Sequence, residues 1–131
     1  MGSEKSDKIA GFLIGGCELH YSYDDIWKLL LQSTSGQKIL QEDYRYVYHV
    51  QGRWTAREAD QEIGDRFEKH SADTMSVEQS NLLAELIETA HDRFAIPYEK
   101  LFQKTSLSDF LEQCGLVLGN YDDKLIKSYL M

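Results

Sequence analysis

The chain has 131 residues, 42% of them hydrophobic and 27% charged, with a formal net charge of −8. That length predicts one domain with a core of its own, and the negative balance argues against nucleic acid and anionic membrane as partners, since both reward positive surface. No apolar run reaches the roughly 18–20 residues that a membrane span requires, and the expected location is the cytosol.

Residues 1–8 are polar and balanced in charge, which predicts a flexible N-terminal tail ahead of a single helical domain over 9–131. The opening Met1-Gly2-Ser3-Glu4-Lys5-Ser6 fits the loose N-myristoylation pattern, which a cloning remnant also produces. Phe12-Leu13-Ile14 forms a short apolar run. Gly15-Gly16 after it reads as a helix breaker. No phosphate-binding glycine frame surrounds that pair.

Tyr23 to Gln32 is a predicted helix, with Asp24 and Asp25 in its first turn and Ile26, Trp27, Leu30 and Leu31 as its apolar stripe. A short helical turn with Ile39 and Leu40 inward follows. Tyr44, Tyr46, Tyr48 and Val50 alternate along the chain, which predicts a strand over 44–50 paired with 11–14, or else an extended aromatic loop.

The stretch from Thr55 to Phe94 predicts two consecutive helices and carries most of the charge. Between Thr55 and Asp92 ten acidic side chains stand against three basic ones, a net −7. The first helix opens on a Thr55–Glu58 capping box. Its thin stripe of Ala56, Ala59, Ile63 and Phe67 predicts a peripheral position, and Glu58, Glu62, Asp65 and Glu68 form the opposite face. Glu62–Arg66 and Asp65–Lys69 have the acid-before-base i, i+4 spacing. The second helix is capped by Ser76 with Gln79. Leu83, Leu86, Ile87, Ala90 and Phe94 make its core face, and Glu78, Glu85, Glu88 and Asp92 an outward arc without a base. It is the expected central packing element.

Beyond Pro97, Leu107, Phe110, Leu111 and Cys114 predict another helix, closed by Gly115. A buried Leu116-Val117-Leu118 and a last short helix from Asp122 follow, with Leu125, Tyr129 and Leu130 as its apolar side. The fold class expected is mainly α: a compact single-domain bundle of about five or six helices, with one small two-stranded β element at most.

Chemistry-bearing motifs are sparse. His91-Asp92 resembles the His-Asp dipeptide of helical metal phosphohydrolases, in which His49 or His70 and Asp122 or Asp123 would complete the metal site. Glu88 and His91 form one E-x-x-H, where a di-iron bundle needs two. Cys17 and His20 form one C-x-x-H, which would need Cys114 and His49 to complete a zinc site. The two cysteines read as reduced, mostly buried thiols. No metal or other cofactor is expected.

The tyrosine run with Trp54, which contains Arg45 and Arg53, has the residue types that anchor interfaces. An unbalanced acidic arc costs a few tenths of a kcal/mol per like-charge pair, and its field attracts cations. The reading is a small acidic protein-binding module without catalytic residues. Its working surface is Glu58, Glu62, Asp65, Glu68, Glu78, Glu85, Glu88 and Asp92 with Tyr44, Tyr46, Tyr48 and Trp54. In size and charge the chain is similar to small acidic immunity proteins, which implies a basic partner such as a nuclease toxin domain, neutralised by covering its active site. The alternatives are the His91/Asp92 phosphohydrolase and a structural or adaptor subunit that self-associates through the aromatic stretch.

Overall fold

The computed structural model describes residues 3–114 and 125–131. Ser3 opens the first helix: its hydroxyl accepts the Ser6 N–H at 3.1 Å. Helix α1 then runs Glu4–Glu18. Residues 4–8, expected to be a flexible tail, are its first turns, and Lys5 and Ser6 are buried. The acid-rich first turn of Glu4 and Asp7 suits the positive end of a helix.

Phe12-Leu13-Ile14 and Gly15-Gly16 also lie inside α1, so neither the predicted strand at 11–14 nor the predicted break exists. Packing overrides propensity here. A Cβ on Gly15 would meet the Arg53 backbone and Ala56, and one on Gly16 would meet Ile26. The glycines let neighbouring helices approach, which outweighs the roughly 1 kcal/mol that each loses as a helix former.

Helix α2 (Tyr23–Gln32) is capped by Ser22, and α3 (Thr34–Leu40) by Ser33, whose hydroxyl accepts the Gly36 N–H at 2.9 Å. Helix α4 is Tyr44–Tyr48, with the Asp43 side chain accepting the Arg45 N–H. The predicted strand over 44–50 is therefore also absent, and no strand exists among the described residues. A helical turn serves this sequence better than a lone strand. It places Val47 inward and leaves Tyr44 and Tyr48, four apart, together on the outside.

Helix α5 spans Gly52–Ile63 and continues into a 3-10 turn, Gly64–Arg66. It starts a turn earlier than predicted. Thr55 caps nothing; it is buried, and its hydroxyl donates to the Gln51 carbonyl at 3.3 Å. Because α5 ends at Ile63, the Glu62–Arg66 and Asp65–Lys69 pairs do not lie on a continuous helix. Nor is α5 peripheral: its contact with α1 is the most extensive between any two elements, and α6 packs chiefly on α1 as well.

Helix α6 (Val77–Asp92) has the predicted capping box, with the Ser76 hydroxyl accepting the Gln79 N–H and Gln79 reaching back to the Ser76 N–H. Its predicted core face is buried at Leu83, Leu86, Ile87 and Ala90. A 3-10 turn at Tyr98–Lys100, helix α7 (Leu107–Cys114) and a wide π-type turn at Ile126–Leu130 complete the described chain. The predictions for 115–124 lie outside the described residues. Seven α-helices among the described residues exceed the expected five or six, the extra ones being α1 and α4. One hydrophobic cluster joins the described helices, α4 meeting it only through the partly buried Tyr46, with α1 at its centre through Ile9, Phe12 and Leu13.

Candidate functional site

Asp43 starts α4, and the helix period then divides the tyrosine run into two sides. Tyr44 and Tyr48 project from the surface, 67% and 58% exposed, with ring centroids 5.0 Å apart. His49 extends the cluster, its ring 5.0 Å from that of Tyr44. Tyr46 points the other way. Its hydroxyl donates to Glu58 at 3.1 Å and its ring lies under the Lys38 ammonium. Trp54, near the start of α5, is 56% exposed, with the Arg57 guanidinium over its ring at 5.1 Å. More than half of each of Tyr44, Tyr48 and Trp54 therefore faces water, where large aromatic side chains gain little unless something covers them.

A cavity of about 240 Å³ lies beside Tyr48, lined by Ser3, Glu4, Lys5, Glu42 and Val47 as well. The Lys5 side chain is almost fully buried, with its ammonium 3.6 Å from Glu42 and 5.1 Å from the Tyr98 ring centroid. Burial opposes its charge, but Tyr98 and the carboxylates of Glu42 and Asp92 outweigh that and hold its pKa above the ordinary value. Glu4, Glu42 and Asp43 are exposed, the first two beside Tyr48 and the third next to Tyr44 in the chain, and they give the tyrosine pair a negative border. Sequence reasoning missed all three. Glu42-Asp43 directly before the tyrosines was the available signal; Glu4 was hidden in the presumed tail.

The acids predicted as one face are dispersed and partly engaged. Glu62 accepts the N–H groups of Thr34 at 2.8 Å and Ser35 at 3.1 Å, and Ser35 also donates its hydroxyl to it. Burial raises the Glu62 pKa, but these hydrogen bonds overcome it and hold the carboxyl below its usual range. Glu58 faces the Ser35 hydroxyl and Tyr46. These two carboxylates tie α5 to α3 and α4 rather than facing water alone. On α6, Glu85 and Glu88 are half-buried, and Glu88 accepts the Ser3 hydroxyl at 2.7 Å. Asp65, Glu68, Glu78 and Asp92 are the exposed remainder.

His91 is held within the fold. Its Nδ1 lies 2.9 Å from the Ile96 carbonyl oxygen, and its ring stacks on Tyr98 with centroids 3.8 Å apart. His49 and His70 are exposed, while Asp122 and Asp123 lie outside the described residues. Cys17 and Cys114 are free and half-buried. Burial, then Asp73 and Glu18, push the Cys17 thiol up to about 11, so it is protonated at neutral pH and a poor nucleophile. Burial also raises the Cys114 thiol. Among the described residues no three or more His, Cys, Asp or Glu side chains stand together as a metal-binding group. No helix of the described chain is long and apolar enough to cross a membrane.

Compared with known protein families, characterised proteins and solved structures, the chain finds no match.

Proposed function

We propose that this chain is a small acidic protein-binding module of the inhibitor or immunity type, which neutralises a basic partner such as a nuclease toxin by covering its active site. The observation that carries the reading is the exposure of Tyr44, Tyr48 and Trp54, rings of the type that dominate binding energy at interfaces. The acidic contribution shifts from the sequence-predicted arc toward Glu4 and Glu42, which line the cavity beside Tyr48, and Asp43, next to Tyr44 in the chain. The net charge of −8 speeds encounter with a cation, and the rings, once covered by the partner, slow release.

The test is capture from the native host by the wild-type chain and by a Tyr44→Ala/Tyr48→Ala/Trp54→Ala variant that keeps its helical circular dichroism. A basic protein retained by the first and lost by the second is expected, with an association rate that falls as salt rises. Equal retention by both chains, or a rate indifferent to salt, overturns the reading. The exposed rings also suit a second copy of this chain, the adaptor reading, and light scattering on the same two proteins separates the two: a dimer that the variant abolishes favours self-association.

A further inference from the structure

A recess distinct from the aromatic residues lies where the start of α2, the segment before α6 and helix α7 converge. Its volume is about 360 Å³, at the small end of ligand-sized pockets, ~300–1,000 Å³. Tyr23, Met75 and Leu111 supply apolar walls, and Asp73 and Glu112 stand among them. No lysine or arginine is among its described lining residues.

Two helix N-termini offset part of this negative charge. Asp73 accepts the Tyr23 N–H at 3.1 Å, and Asp24, next to Tyr23 in the chain, accepts the N–H of the lining residue Ser108 at 3.1 Å. Each N-terminus contributes about half a positive charge. Asp24, Asp73 and Glu112 together exceed the two termini by about two negative charges. Apolar walls and surplus negative charge complement a long aliphatic stem that ends in a cation.

We propose that this recess receives the side chain of an arginine on a basic protein partner, its methylenes against Met75 and Leu111 and its guanidinium toward Glu112 and Asp73. The inference rests on the protein-binding reading above and adds a second anchor point, on elements distinct from α4 and the start of α5.

The direct probe is n-butylguanidinium, titrated into the full chain and followed by methyl and amide NMR, with near-isosteric neutral n-butylurea as the control. Saturable shifts at Met75 and Leu111 are expected. Weakening of about threefold or more is expected for butylurea and for Glu112→Gln, the scale of a partly exposed ion pair. Absence of saturable shifts there, or equal binding by butylurea or by the Glu112→Gln variant, overturns the proposal. Partner capture separates this failure from failure of the broader reading: Glu112→Arg lowers retention about tenfold or more if the recess is an anchor. Unchanged retention by Glu112→Arg, with Tyr44, Tyr48 and Trp54 still required, rejects the arginine pocket and leaves the aromatic interface standing.

Discussion

The Tyr21 hydroxyl donates to Asp60 at 2.5 Å, joining the segment before α2 to helix α5. The ring is fully buried and meets Phe67 edge-on, while Asp60 also accepts from the Lys69 ammonium at 3.0 Å. Burial first, and then the hydrogen bond to and charge of Asp60, raise the Tyr21 pKa well above the ordinary tyrosine value of 10.0.

A raised folded-state pKa contributes stability that is complete below the unfolded pKa and lost as pH rises beyond it. The melting temperature should therefore begin to fall above about pH 10, and Tyr21→Phe should flatten that alkaline decline. At neutral pH the same variant should lose about 1 kcal/mol, because Asp60 retains Lys69. Denaturant unfolding at pH 7 and at high pH checks both.

Glu62 works in the opposite pH direction. Its folded pKa is depressed, so its contribution is present above the ordinary glutamate value of 4.5 and disappears as pH falls through the lower folded value. Asp60 behaves likewise: burial raises its pKa, but Tyr21 and Lys69 outweigh that and hold it below its ordinary value. Glu62→Gln should cost about 1 kcal/mol or less at pH 7, given its exposure, and reduce the acid-side slope of stability. An acid titration of the melting temperature, compared between wild type and variant, reads the difference.

Gly52 stands where α1 and α5 come closest. A Cβ there would collide with the Lys8 carbonyl oxygen and press on the Gly11 and Phe12 backbones. In an isolated helix Gly→Ala is favourable by about 1 kcal/mol. Here the backbone contacts should prevail, and Gly52→Ala should lose about 1–3 kcal/mol, as overpacked sites do. A gain in the denaturation midpoint would show that α1 and α5 can move apart.

Helix α6 supplies two contrasting cases. Leu86 is fully buried, so Leu86→Ala should cost about 2–5 kcal/mol. Ser76→Ala removes only a helix cap and should cost about 1 kcal/mol. Equal losses in urea unfolding would contradict the central placement of Leu86.

Just past α6, Ala95 has a φ of 55°, in the left-handed region. That conformation costs an L-residue roughly 1–2 kcal/mol, part of which glycine returns through greater unfolded-state freedom. Ala95→Gly should thus be neutral or stabilising by up to about 1 kcal/mol. Calorimetry of the variant decides it, and a lower melting temperature would count against the assignment.

Helices with strong local signals were legible in the sequence. The serine-capped α6 and the apolar stripes of α2 and α7 follow from side-chain spacing alone. What escaped depends on partners distant in sequence. Gly15 and Gly16 break helices in isolation and serve close packing in α1. The alternation of Tyr44, Tyr46 and Tyr48 fits a strand, yet no second strand exists among the described residues to pair with it. The same limit applies to the site. The tyrosines and Trp54 were visible as candidate anchors, and two of the tyrosines lie on the surface. Which carboxylates are engaged was not visible, because Ser35 and Ser3, the groups that occupy Glu62 and Glu88, come from α3 and from the cap of α1.

The central position of α1 sets the order in which this protein can fold. Three helices separate α1 from α5 along the chain, and α6 is further still. Ile9, Phe12 and Leu13 are synthesised before α5 and α6 and lack those partners until they arrive. Contacts so remote in sequence raise contact order, and the loop-closure entropy falls due before they form. The chain should fold more slowly than a bundle of sequentially paired helices, and the stage at which α1 lacks α5 and α6 is the one most open to aggregation.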